Sequence, residues 1–180
     1  LLAAGSLALG SAQGAVQTTI LNVTAPPNTA HINIDGGPDD FDLYPFPVFN
    51  IPTISGASST DGLLKSSGAL VSLSAGATVG PVSAPQEYSN GGVSLGSAFN
   101  SLGTHYIGFR HDPDTSTPAT FNYGYIEVTV TATGGSSPAS LNVVGFAWES
   151  TDNTPINTAP VPEPATVAVF AGLSALGFVA

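Results

Sequence analysis

The feature that most narrows what this chain can fold into is an alternation with a period of two. From residue 125 to 133, Ile126, Val128, Val130 and Ala132 point one way and Tyr125, Glu127, Thr129 and Thr131 the other, which predicts a strand buried on one face. Gly134, Gly135, Ser136, Ser137 and Pro138 then interrupt the pattern, and residues 140–149 resume it with Leu141, Val143, Phe146 and Trp148, so the two stretches predict a hairpin. Further strands are expected at 16–24, 30–34, 69–73 and 104–110. Between the two ends no segment carries helical periodicity with caps, and turn residues recur at short intervals. The expected fold is therefore all-β, an antiparallel β-sandwich or jelly-roll-like domain over residues 15–150. Pro45 and Pro47 cannot donate to a strand ladder, which assigns 41–51 to a sheet edge or a loop. Residues 55–67 read as a loop.

Composition supports folding and removes several partners. The chain has 180 residues, of which 42% are hydrophobic and 8% charged, a balance opposite to the low-hydrophobicity, high-charge signature of disorder. Once the two ends are set aside as targeting segments, about 145 residues remain, enough for a core without disulfides or metal staples. Cysteine is absent, which leaves the redox compartment open. Two Lys+Arg stand against 12 Asp+Glu, giving a formal net charge of −10. Nucleic acid and anionic membrane surfaces both require clustered cations, and Lys65 and Arg110 are the only candidates, so neither is expected as a partner.

Both ends look like sorting segments. Residues 1–14 begin with the apolar run LLAAGSLALGSA and continue into small residues, the pattern of a signal peptide that has lost its start. A polar linker is expected at 151–160. Residues 161–166 read VPEPAT, and everything from 167 to 180 is apolar or small, predicting an anchor helix that opens near Pro164, with Glu163 at the positive end of its dipole. Those 14 residues reach roughly 21 Å as a helix, short of the roughly 30 Å hydrocarbon core, so the expectation is that the segment continues beyond residue 180.

The string VPEPATVAVFAGLSALGF resembles the PEP-CTERM sorting signal, in which a Pro-Glu-Pro motif precedes a hydrophobic helix and, usually, a closing Arg cluster that does not occur here. The resemblance carries the motif onto Pro162, Glu163 and Pro164. It implies export, retention in the inner membrane by the helix, processing by an exosortase, and a bacterium that makes extracellular polysaccharide. The stretches YIGFR at 106–110, YGYIEVTV at 123–130, VVGFAWEST at 143–151 and NTPI at 153–156 are similar to a body domain common among PEP-CTERM proteins, whose members typically lack a known activity.

Few constellations carry chemistry. Gly92, Ser94 and Gly96 match G-x-S-x-G, but no carboxylate lies between Ser94 and His105 or His111 to complete the hydrolase order, and no histidine follows them. No catalytic residue is expected, and the chain reads as non-enzymatic. In NIDGGPDDFD, Asn33, Asp35, Asp39 and Asp40, with Asp42 beyond, offer hard oxygen donors around glycines, as a Ca²⁺ loop does. An Asx-rich turn is the competing and favoured reading. No other cofactor is expected. His105, His111, Asp112 and Asp114 could in principle ligate a transition metal but match no recognised spacing, and strand-end residues in solvent are the favoured reading. Tyr44, Tyr88, Tyr106, Tyr123, Tyr125 and Trp148 read first as core aromatics. Their second reading is a sugar-stacking face that would make the chain a carbohydrate-binding module of the extracellular polysaccharide.

Overall fold

The computed structural model describes residues 16–25, 29–34, 40–45, 52–56, 61–82, 86–89, 91–113 and 120–161. The expected signal-peptide remnant at 1–14 and the tail from Pro162 onward, with Glu163 and Pro164, lie outside the described residues. In chain order the strands are β1 (Val16–Ala25), β2 (Ala30–Ile32), β3 (Phe41–Pro45), β4 (Pro52–Gly56), β5 (Gly62–Ser66), β6 (Ala69–Leu70) and β7 (Ser72–Leu73). They continue with β8 (Thr78–Val79), β9 (Gln86–Ser89), β10 (Val93–Ser94), β11 (Gly103–His111), β12 (Asn122–Gly134), β13 (Ser137–Glu149) and β14 (Ile156–Asn157). A 3-10 turn occupies Ser97–Phe99. The fold is all-β with antiparallel pairing. Among the described residues no helix is long and apolar enough to cross a membrane.

The larger sheet runs β1-β13-β12-β11-β5-β6, with β7 beside β11 and β9 beside β5; the smaller runs β10-β4-β3-β2. They face each other across one core. Ile32, Phe41, Leu43 and Ile54 of the small sheet pack against Leu63, Ile107, Phe109, Ile126, Val128, Leu141 and Phe146 of the large one. A second apolar cluster, containing Tyr106, Tyr123, Tyr125 and Ala147, lies on the other face of the large sheet. It is covered by the ribbon in which Ile156 pairs with Val79, and by Val161. Tyr125, expected on a polar face, is therefore buried: the front of β12 has apolar neighbours on both sides.

Residues 151–161 are held to this outer face. Thr158 Oγ1 donates to Ser74 O at 2.7 Å and accepts from Ala77 N at 3.0 Å, and Val161 N donates to the buried Glu127 carboxylate. Two local expectations are corrected. Phe41–Pro45 is an inner strand between β4 and β2, not an edge, because Pro45 sits at the strand's end opposite Pro52, the first residue of β4, where the missing N–H costs least. Gly62–Ser66, read as loop, is a buried strand, since Leu63 and Leu64 fill opposite faces of the large sheet and Ser67 and Gly68 (φ 51° and 80°) make the tight turn into β6.

Candidate functional site

Strand β11 places chemistry on both of its faces. It runs regularly from Gly103 to His111, opposite β12, so Ile107, Phe109 and His111 face the inter-sheet core while Tyr106 and Arg110 face outward.

On the outward face, Arg110 borders a cavity of about 400 Å³ lined also by Gln86, Glu87, Tyr88, Phe121 and Tyr123. The guanidinium carbon stands 4.2 Å from the Phe121 ring centre and 5.3 Å from that of Tyr88, a cation held between two aromatic faces. Tyr88 and Tyr123 pack at 5.8 Å between centroids, and Tyr88 Oη donates to Gly80 O at 2.8 Å. Phe121 is held by Asn153, whose N–H donates to Phe121 O at 2.7 Å and whose Oδ1 accepts from Phe121 N at 3.3 Å. Burial pushes the Tyr88 hydroxyl far above its ordinary pKa and Tyr123 adds to the rise, while Arg110 and the Gly80 bond pull the other way. Tyr88 is thus a neutral, oriented phenol at neutral pH. Beside it, burial lowers the Lys65 ammonium against the opposing pull of Glu87, and Lys65 Nζ donates to Gly91 O at 2.8 Å.

On the inward face, His111 meets two carboxylates from the ends of other strands. Its Nδ1 lies 2.8 Å from Asp61 Oδ1 and 3.5 Å from Asp40 Oδ1. Asp61 immediately precedes β5, whose Gly62 pairs with Arg110, and Asp40 immediately precedes β3. Asp40, Asp61 and His111 are only 6%, 2% and 3% exposed, and one donor atom from each lies within 4.8 Å of the others.

The residues singled out in the sequence are therefore divided. Of the residues that could make either an Asx-rich turn or a Ca²⁺ loop, Asp40 turns inward, its Oδ2 accepting from Ile34 N at 2.6 Å, while Asn33 is half-buried just after β2. Asp35 and Asp39 lie outside the described residues. His105 and His111 share a face of β11 but sit near opposite ends of it. His105 Nδ1 is 2.8 Å from Ser72 Oγ and its Nε2 2.9 Å from Ser101 O, so the two histidines do not form one site. His31, exposed, faces Asp42 at 2.8 Å. Ser94 Oγ lies 3.4 Å from Thr53 Oγ1, while the three histidines bond elsewhere among the described residues. Asp61 was missed by sequence reasoning; an Asp-Gly pair reads as a turn, and only the β5–β11 register reveals its partner.

Comparison of the chain with protein-family models, with curated proteins and with solved structures gives no match.

Proposed function

We propose that this chain is an exported, non-enzymatic protein of the cell surface or extracellular matrix, sorted through a C-terminal anchor of the PEP-CTERM type. The observation that carries the reading is VPEPAT at 161–166 followed only by apolar or small residues. Pro162, Glu163 and Pro164 put an acidic, proline-flanked motif directly before a stretch whose composition prefers lipid to water, so the inner membrane and an exosortase-type processing enzyme are its partners. The folded domain fits a passive cargo. Val161, the residue before the motif, is buried, and its N–H donates to Glu127 on the large sheet. The test is cell fractionation with the intact gene. The natural protein should enter the membrane fraction and lose mass on processing, while replacing Pro162 and Pro164 by Gly should leave it there unprocessed. Unprocessed protein confined to the cytosol overturns the reading.

A second reading, a carbohydrate-binding module of the extracellular polysaccharide, is favoured by the cavity around Arg110. Aromatic rings with fixed hydrogen-bonding groups beside them are what sugar rings stack on and bond to. Glycan arrays and calorimetry, with Ca²⁺ and with chelator, should find a ligand lost in Phe121→Ala. No binding under either condition removes this reading and leaves the first standing.

A further inference from the structure

We infer that Asp40, Asp61 and His111 form a binding site for a first-row transition metal ion, with Zn²⁺ the best fit. The site is built between the two sheets and does not depend on the sorting tail or on the cavity around Arg110. Asp61 carries the argument. It is 2% exposed; its Oδ1 faces His111 Nδ1 and accepts from Asp112 N at 3.3 Å, while Oδ2 is buried with no hydrogen-bond partner among the described residues. A buried carboxylate oxygen with nothing bound to it is costly, because its hydration has been removed and not replaced.

Charge points to a cation as what is missing. Asp40, Asp61 and the neighbouring Asp112 are all nearly buried, and the whole chain has only Lys65 and Arg110 to offer besides histidines. Lys65 donates to Gly91 O, and Arg110 is stacked on Phe121 on the opposite face of β11. His111 supplies at most one positive charge. A divalent ion would neutralise Asp40 and Asp61 together.

The donor set selects the ion. Ca²⁺ takes six to eight oxygens, whereas one imidazole with two carboxylates suits Zn²⁺, which is commonly held by three protein ligands and a water. A tetrahedral site with bonds of about 2.0–2.2 Å has ligand–ligand edges of about 3.3–3.6 Å. The observed 2.8 and 3.5 Å separations require little more than a sub-ångström opening.

The experiment uses the full chain stripped of metal by chelation. Calorimetry and elemental analysis should find one zinc per chain, and at 100 times Kd the melting temperature should rise by about 5–10 °C. Asp61→Asn and His111→Gln should each abolish the rise, whereas His31→Gln and His105→Gln should keep it. Cobalt(II) supplies a readout that needs no variant to fold: the unaltered chain should develop the intense visible bands of a tetrahedral site with nitrogen and oxygen ligands. The proposal is overturned if the unaltered chain takes up no zinc, if the zinc-induced rise survives His111→Gln, or if Ca²⁺ produces the same rise. An ion pair sharing a proton between His111 and Asp61, with no metal, would appear as the first of these outcomes.

Discussion

Phe109 and Gly124 sit opposite each other on β11 and β12, and their contact explains a residue that alternation alone would call weak. A Cβ on Gly124 would lie 2.2 Å from Phe109 Cζ and 2.5 Å from Ala147 O. Glycine is required so that the ring can lie on bare backbone, and the ring in turn covers the backbone that glycine exposes. The ring cannot swing away, since Phe109 is fully buried and packs on Phe41 at 5.1 Å. Gly124→Ala should therefore destabilise by about 1–3 kcal/mol, read as a lower urea midpoint with unchanged m-value. A loss below about 0.5 kcal/mol would show that the contact is loose. The same scale shows why the buried acid–histidine cluster was only partly legible. Asp40 and His111 stood out in separate motifs, each plausible as a solvated turn, and nothing in either motif points to the other. The cluster also contains a third residue, Asp61, which reaches His111 through a strand pairing that no local pattern encodes.

Among the elements, the β12–β13 hairpin was legible because its apolar positions alternate, but the break in that alternation was passed over. Leu141 and Val143 are odd-numbered but Phe146 and Trp148 even, and one strand cannot bury both sets on one face unless it slips by a residue. The slip is a bulge: Glu127 pairs with Gly145 and Val128 with Val143, leaving Val144 to pack on the outer cluster. Strand β1 follows it, with Ile20 opposite Gly145 and Val23 opposite Val143, and Asn22 between them takes φ 51°. That value lies in the left-handed region, where Asn is tolerated and other side chains are strained. Asn22 is exposed, so substitution there tests the backbone alone. Asn22→Val should lower stability by about 1–2 kcal/mol and Asn22→Gly should leave it nearly unchanged. Equal losses in chemical denaturation would mean that the Asn22 side chain, not its φ, matters. By contrast, β5 was missed because two leucines and a lysine between a glycine and a serine show no alternation. Both faces of that strand are covered, and a fully covered strand has no polar side to announce it.

In the whole molecule, the second core is where a sequence-only division into domain and linker loses information. The polar character of residues 151–160 describes their outer side only. Ile156 and Val161 close over Tyr106 and Tyr125, and Thr158 bonds back to residues 74 and 77. These isolated apolar residues carry too little periodicity to be read as core, yet they cover the outer aromatic face of the large sheet. Their effect is measurable in alkaline solution. Tyr88, Tyr106, Tyr123 and Tyr125 all have hydroxyls raised above their ordinary pKa, burial being the largest cause in each; Glu127 adds to the rise at Tyr106 and Tyr125, while a hydrogen bond with the Ala159 backbone opposes it at Tyr125. In the unfolded chain these groups ionise near pH ~10, so above that pH the folded state retains protons that the unfolded state has released. Stability should be flat with respect to these groups below pH ~10 and fall as pH rises past it, whereas Lys65, lowered by burial, contributes a smaller rise just below its ordinary value. A chain ending at Ser150 loses the cover over Tyr106 and Tyr125. Its phenolate absorbance should develop at lower pH than in the chain extending through Val161, and its melting temperature at neutral pH should be lower. Coincident titration curves and equal melting temperatures would mean that residues 151–161 only rest on the sheet and contribute nothing to its burial.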